Sequence, residues 1–421
     1  MASSISSSTR IQWMWKESED PFSESHQEEW KSYSDIENLI IEESYQSKQS
    51  YVILDNYTIH FKHQIQISNI DGSKQRPVKR TMSNRSAFLR EQRFTFTPIT
   101  PDHPFRGLDG WISPFIKETV KYLNLTHEHL PSKDKTIVPI VVEKAACGII
   151  EEGKKIGKQC ESEWLAKTLR EQKDAGMRNV WKCCAHLYSL ESFLYNKLNE
   201  TMRLIGNDEY EQEWRENLRT LGPFGLLLWD NPFNSKTAKE GTKFYRGAKL
   251  SEAHISSFNK ECLKSEEEKT KHSFPSFTSC SRNRNKAEEF GNVLFIMTVK
   301  HAFTVDLEPF SEYPDEEEEL IFPGVCFTID RIEKHKEKYF IYLTLIQQHY
   351  CDNFQRGTGD NFNQKPQILI FLIFIYCRII NHIENQSLYE IYSLSYIIII
   401  IDNQYSILYS HSKNIHTDFY Y

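Results

Sequence analysis

Asp315-Glu316-Glu317-Glu318-Glu319-Leu320-Ile321-Phe322-Pro323 drives an acidic run straight into a hydrophobic segment that ends on proline. Read as a strand, the segment sends successive side chains to opposite faces, so Glu317 and Glu319 point one way and Glu316 and Glu318 the other. Two carboxylates on one strand face beside an apolar stretch can stabilise a developing cation and manage a proton. An acidic run is also readable as solvated loop surface. Asp315, Glu316 and Glu318 are expected to face solvent. What lies around the run decides how Glu317 and Glu319 are read.

Upstream, Lys243-Phe244-Tyr245-Arg246, Ser276-Phe277-Thr278-Ser279 and Val293-Leu294-Phe295-Ile296-Met297 read as strands, and Phe340-Ile341-Tyr342-Leu343 reads as another downstream. Earlier still, Ser189-Leu190-Glu191-Ser192 caps a segment with Leu194, Leu198 and Met202 on one stripe, the pattern of a helix packing on a core. Helices first and strands later predict an α+β domain over residues 138–347 rather than a doubly wound sheet.

Residues 10–82 separate off as a small half-barrel of strands with one helix. Trp13-Met14-Trp15 alternates; Ser34-Asp35 opens a helix with Ile36, Leu39, Ile40 and Ser44 at helical spacing, ending near Gln46-Ser47. Short β-type runs follow over 51–54, 57–61 and 64–67, and Asp71-Gly72-Ser73 is a turn signal before the basic strand Lys74–Arg80. Residues 83–137 are a Pro-rich connector with one helix over 116–123. The last region, 348–421, is dense in Ile, Tyr and Asn, with a block of isoleucines over 397–401. Such a bias is what AT-rich non-coding DNA gives when translated, so a gene-model artefact is the expectation there, with a membrane anchor as the alternative. The apolar run Ile368–Cys377 is shorter than the roughly 18–20 residues a spanning helix needs.

With 421 residues, a net charge of −7 and a pI near 6.1, the chain does not read as a general phosphate-backbone binder, and no direct DNA binding is expected. The Ser-rich N-terminus lacks the apolar core of a secretory signal. Nine scattered cysteines show no zinc spacing and are expected as reduced thiols, with no metal site. An intracellular protein, cytoplasmic or nuclear, follows as the expectation.

Three elements fall in order on the expected strands: Tyr245-Arg246-Gly247, Phe277-Thr278-Ser279-Cys280-Ser281 and Glu317-Glu318-Glu319. An arginine beside a glycine suits a bidentate grip on a phosphate or carboxylate where a ligand approaches the backbone. Serines at i and i+2 put two hydroxyls on one face. In this order, Arg, Ser-x-Ser, Glu-x-Glu, the chain resembles the arginine-type mono-ADP-ribosyltransferases. Phe274–Ser281 is similar to that family's serine strand, with Cys280 where threonine is usual, and Ala287–Phe295 to the helix and strand that follow it. The resemblance implies a split β core that uses NAD as co-substrate, with no G-x-G-x-x-G fingerprint required. It implies that Arg246, with Gly247 beside it, holds NAD, and that Ser279 orients NAD and the catalytic carboxylate. Glu319 would then stabilise the oxocarbenium-like state as nicotinamide leaves, and Glu317 engage the guanidinium of an acceptor protein's arginine.

The first unit resembles the WWE domain through Trp13-Met14-Trp15, Trp30 and the closing Gln75-Arg76-Pro77-Val78-Lys79-Arg80. That resemblance implies contacts from Trp15, Tyr57, Gln66 and Arg76 to the iso-ADP-ribose unit of poly(ADP-ribose), with His60 standing where an acidic residue is common. WWE domains also serve as protein-interaction modules. The functional expectation is an NAD-dependent arginine mono-ADP-ribosyltransferase with a polymer-reading module. A non-enzymatic reader or scaffold and an NAD glycohydrolase are the alternatives.

Overall fold

The computed structural model of the chain describes residues 9–17, 29–84, 90, 113–126, 129–205, 208–233, 238–265 and 272–346. The Ile/Tyr/Asn-rich tail and most of the Pro-rich connector lie outside the described residues.

The N-terminal unit is a six-stranded antiparallel sheet with one helix. Strands β1 (Thr9–Lys16), β2 (Trp30–Ser32), β3 (Tyr51–Ile53), β4 (Tyr57–His60), β5 (Ile65–Ser68) and β6 (Gln75–Asn84) lie in the order β2-β1-β6-β5-β4-β3. Helix α1 (Asp35–Gln46) starts where the sequence marks it. The Glu37 amide donates to Ser34 Oγ and the Ser34 amide to the Glu37 carboxylate, a reciprocal cap that satisfies two end groups. Trp13, Tyr33, Ile41, Val52, Leu54, Ile59 and Val78 form the core of this unit. Helix α1 also has a second apolar face. Ile36 is fully buried in the larger core built by the rest of the chain, and Leu39 packs against that core too.

The larger core lies between a helical layer and an eight-stranded sheet. The layer comprises α2 (Pro114–Tyr122), α3 (Val138–Lys155), α4 (Gln159–Arg170), α5 (Met177–Ser189), α6 (Phe193–Leu204) and α7 (Glu211–Trp229). The expected Leu194, Leu198, Met202 stripe is that of α6 and is buried, but the expected cap over Ser189–Ser192 does not form: Ser189 ends α5, and Ser192, at the N-cap position, makes no side-chain cap hydrogen bond. Helices α3 and α7 pass so closely that a Cβ at Gly148 would meet the Thr220 carbonyl oxygen at 1.9 Å, which restricts that position to glycine.

In the sheet, β7 (Lys243–Ala248), β8 (His272–Ser273), β9 (Thr278–Ser281), β10 (Val293–His301), β11 (Thr304–Asp306), β12 (Glu318–Ile321), β13 (Cys326–His335) and β14 (Lys338–Ile346) take the order β11-β12-β9-β7-β10-β14-β13-β8. Among the described residues, the β10–β14 pair is the one parallel strand pair of this sheet. All five strands expected from the sequence are present; β8, β11 and β13 complete the sheet beyond that expectation. Helix α8 (Glu252–Cys262) packs beside β13, and the short α9 (Arg284–Glu288) covers the outer face, where Ala287 joins Leu294, Ile296 and Phe340. The result is α+β, helices before strands. Among the described residues, no helix is long and apolar enough to cross a membrane.

Candidate active site

Strand order brings the three motifs together. β9, carrying Ser279, lies between β7, carrying Arg246, and β12, carrying Glu319. Arginine, serine and glutamate strands are thus adjacent in space although Arg246 and Glu319 are far apart in sequence. The Arg246 guanidinium donates to the Ser279 carbonyl oxygen. Both line a narrow cleft with Tyr188, Tyr195, Asn196, Asn199 and Arg203 from the helical layer and Phe277 from the sheet.

Arg203 is the residue the sequence reading missed. Burial, and then the charge of Arg246, lower its guanidinium to about 10. Two arginines from different layers, α6 and β7, converging on one buried cleft fit an anionic ligand, because each raises the cost of the other's charge until an anion offsets it. The available signal was spacing: Asn199 and Arg203 are four apart, on one face of α6. Gly247, expected to admit a ligand, is required by packing instead. Alternation turns it away from Arg246 to the face beneath α9, where a Cβ would meet Ala287 O at 2.5 Å and Phe290 Cβ at 2.6 Å.

Glu319 lies opposite Cys280 across the β12–β9 ladder, while Ser279 lies opposite Leu320. The Glu319 carboxylate takes a hydrogen bond from Thr304 Oγ1 at 2.6 Å and another from Arg282 Nη1 at 3.3 Å, rather than one from Ser279. Burial raises its pKa, and Thr304 and Arg282 pull it back down. Arg282, directly after the serine motif, also pairs with Asp306 at 2.7 Å and with Glu308. Cys280 is fully buried, which pushes its thiol well above the ordinary range and makes it an inert filler where threonine is usual.

The acidic run departs from the expected geometry. β12 begins at Glu318, so Glu317 is not on the strand and does not alternate with Glu319. Pro314–Glu316 forms a 3₁₀ turn closed by Glu317 in the left-handed region, φ 48° and ψ 48°. Glu317 is half-buried, and its carboxylate accepts from Asn283 Nδ2 at 2.9 Å. Non-glycine residues seldom adopt this conformation, and where they do they tend to mark functional sites. Glu316 and Glu318 do not face solvent either. Both are buried against Arg90, whose Nε donates to Glu316 at 3.1 Å and whose Nη2 is 3.6 Å from Glu318. Burial opposes the Arg90 charge, and Glu316 and Glu318 more than offset it, keeping the guanidinium firmly protonated. Of the acidic neighbours, only Asp315 is exposed.

In the N-terminal sheet, Trp15, Tyr57, Gln66 and Arg76 lie on β1, β4, β5 and β6. Gln66 stands opposite Arg76, and the Arg76 guanidinium lies 5.2 Å from the Trp15 ring centre while donating to the Lys16 and Glu17 carbonyls. Tyr33 links the other two: its hydroxyl donates to Gln66 Oε1 and its ring meets Tyr57 edge-on at 6.2 Å. The four residues therefore form one connected set.

Residues 154–351 match the family of NAD:arginine ADP-ribosyltransferases, and residues 11–80 match the WWE domain. The chain carries a WWE domain followed by an ADP-ribosyltransferase domain. Among solved structures it is similar to the ADP-ribosyltransferase HopU1 of Pseudomonas syringae pv. Tomato DC3000, at 17% identity over 51% of this chain and 97% of that one, TM-score 0.35. The type III effector XopAI from Xanthomonas axonopodis pv. citri gives 13% identity over 60% and 96%, TM-score 0.38. Exoenzyme S from Pseudomonas aeruginosa, solved with 14-3-3 protein beta and carba-NAD, gives 13% over 54% and 96%, TM-score 0.32. No curated protein matches the chain.

NAD is the co-substrate of this transferase family. The cleft of the ADP-ribosyltransferase domain suits it chemically: paired guanidinium groups for a diphosphate, Tyr188, Tyr195 and Phe277 for ring faces, and amides on α6 for polar edges. Among the described residues, no group of His, Cys, Asp or Glu is arranged to hold a metal ion.

Proposed function

We propose that the chain transfers a single ADP-ribose from NAD to the guanidinium of a protein arginine, and that its WWE domain binds poly(ADP-ribose). Residues 138–347 are the catalytic unit in this reading, 10–82 the reader, and 83–137 the connector. Glu317 carries the arginine assignment. It is a half-buried carboxylate held out by a left-handed residue two positions ahead of Glu319, where a cationic acceptor can be met by an anion.

Arg246 and Arg203 hold the diphosphate of NAD, and Ser279 shapes the nicotinamide-ribose end of the cleft. The ribose C1–nicotinamide nitrogen bond breaks, nicotinamide departs with the electron pair, and the Glu319 carboxylate stabilises the resulting oxocarbenium-like carbon. A guanidinium nitrogen then bonds to C1 and gives up its proton, with Glu317 positioning the group and easing that loss. Nicotinamide release with and without agmatine, a free guanidinium acceptor, tests the assignment. Release coupled to ADP-ribosyl-agmatine supports it; release indifferent to agmatine makes the protein an NAD glycohydrolase; no release in either makes it a reader or scaffold.

For the WWE domain, the reading rests on Arg76 stacked on Trp15 beside Gln66 and Tyr57, an aromatic and cationic set suited to an adenine ring and its phosphates. Calorimetric titration of the full chain and of Arg76→Ala with iso-ADP-ribose decides it. Heat that Arg76→Ala abolishes supports the pocket, and no heat in the parent chain points to a protein-interaction module.

A further inference from the structure

The WWE domain touches the turn that presents Glu317. Asp35, the first residue of α1, accepts a hydrogen bond from the Tyr313 hydroxyl and an ion-paired one from Arg10 Nη1 at 3.1 Å, and its second oxygen accepts the Glu191 amide at 2.8 Å. Asp35 is 3% exposed and Tyr313 4%, so this carboxylate has left water to serve three partners, two of them outside its own domain. Two cations lie over the Tyr313 ring, Arg10 at 4.9 Å and Arg90 at 4.0 Å from its centre. Arg90 in turn grips Glu316 and reaches Glu318, and Ser281 Oγ donates to the Glu316 carbonyl at 2.7 Å. Tyr313 itself begins the 3₁₀ turn that Glu317 closes.

We infer that Asp35 of the WWE domain is a positioning residue of the transferase: through Tyr313 and Arg90 it fixes the 313–318 turn and so the placement of Glu317 against the acceptor. The inference rests on the arginine-acceptor reading above only for what Glu317 does; the fixing of the turn stands apart from it. A carboxylate that only closed a domain seam could be satisfied by Arg10 within its own domain. Here it is committed to the one side chain that opens the catalytic turn, which Arg90 grips from the opposite end. Small displacements of a reacting group can cost large factors in rate, so a support this close to Glu317 has leverage on transfer.

The test uses the full chain with Tyr313→Phe, which keeps the ring and removes only the hydroxyl, and Asp35→Ala. Transfer to agmatine should show a KM for agmatine raised roughly tenfold in each, while nicotinamide release to water and the KM for NAD stay within about twofold. The double variant should be little worse than either single one, because both remove the same link. Hydrogen exchange at the Glu316 and Glu317 amides, bonded to Tyr313 and Pro314, should quicken in both variants. Unchanged exchange at those amides overturns the inference whatever the acceptor, and so does an equal fall in transfer and hydrolysis, the mark of a general structural defect. A parent chain that never modifies agmatine refutes the acceptor reading instead, and the exchange experiment still decides whether Asp35 fixes the turn.

Discussion

Arg282 reaches the carboxylate of Glu319 at 3.3 Å through Nη1, the nitrogen that also pairs with Asp306, while its Nη2 pairs with Glu308. A buried carboxylate is harder to ionise than one in water, and this arginine works against that penalty. The role proposed for Glu319 requires the ionised form, so the two residues are linked through pH.

The sign follows directly. Burial raises the Glu319 pKa, so nicotinamide release should be lost as pH falls through a pKa raised above the ordinary glutamate value. Arg282→Gln removes one of the two lowering influences, so the acid limb of the pH profile for nicotinamide release should move to higher pH. Arg282→Lys keeps a charge there and should move it less. An acid limb that stays in place in Arg282→Gln would show that another group sets it.

Glu319→Gln should cut nicotinamide release by about a hundredfold or more, the usual loss when one group stabilising a developing charge is removed. Glu317→Gln should leave release to water nearly intact and lose transfer to agmatine. Normal transfer in Glu317→Gln would remove Glu317 from the acceptor role.

Arg203→Ala should raise the KM for NAD about tenfold or more, as expected for losing a charge-assisted contact to phosphate. Because Arg203 and Arg246 disfavour each other's charge until an anion offsets it, NAD should raise the melting temperature of the parent more than that of the variant. Steady-state kinetics with a thermal melt reads both effects.

Arg90→Met strands Glu316 and Glu318 in the interior, and breaking a buried pair from one side costs about 3–5 kcal/mol. Adding Glu316→Gln should return part of that loss. Urea unfolding of the two variants compares them; equal stability in both would mean that Glu316 is not charged against Arg90.

Much of the fold follows from short-range signals. The Ser34–Glu37 cap and the Leu194, Leu198, Met202 stripe are local, and they mark α1 and α6 correctly. Glu319 is correctly placed on a strand because the apolar run after it is continuous. Glu317 is misplaced because alternation holds only where the strand has begun, and a 3₁₀ turn intervenes before it. The burial of Glu316 and Glu318 depends on Arg90, 226 residues from Glu316, and no local pattern carries a pairing at that distance. Arg282 follows the serine motif directly, yet its pairing needs Asp306 at the end of β11 and Glu308 in the 3₁₀ turn after it.

Ile36 ties the two domains into one interior. Modules that evolution shuffles between proteins usually meet their neighbours across thin, polar seams. Here a fully buried isoleucine from the WWE helix fills part of the transferase interior, a contribution of about 1.5–3 kcal/mol for one side chain. Taking the WWE domain away would leave a hole in the enzyme rather than a clean surface. The two domains should therefore melt in one cooperative step, and neither can be exchanged without repacking the other.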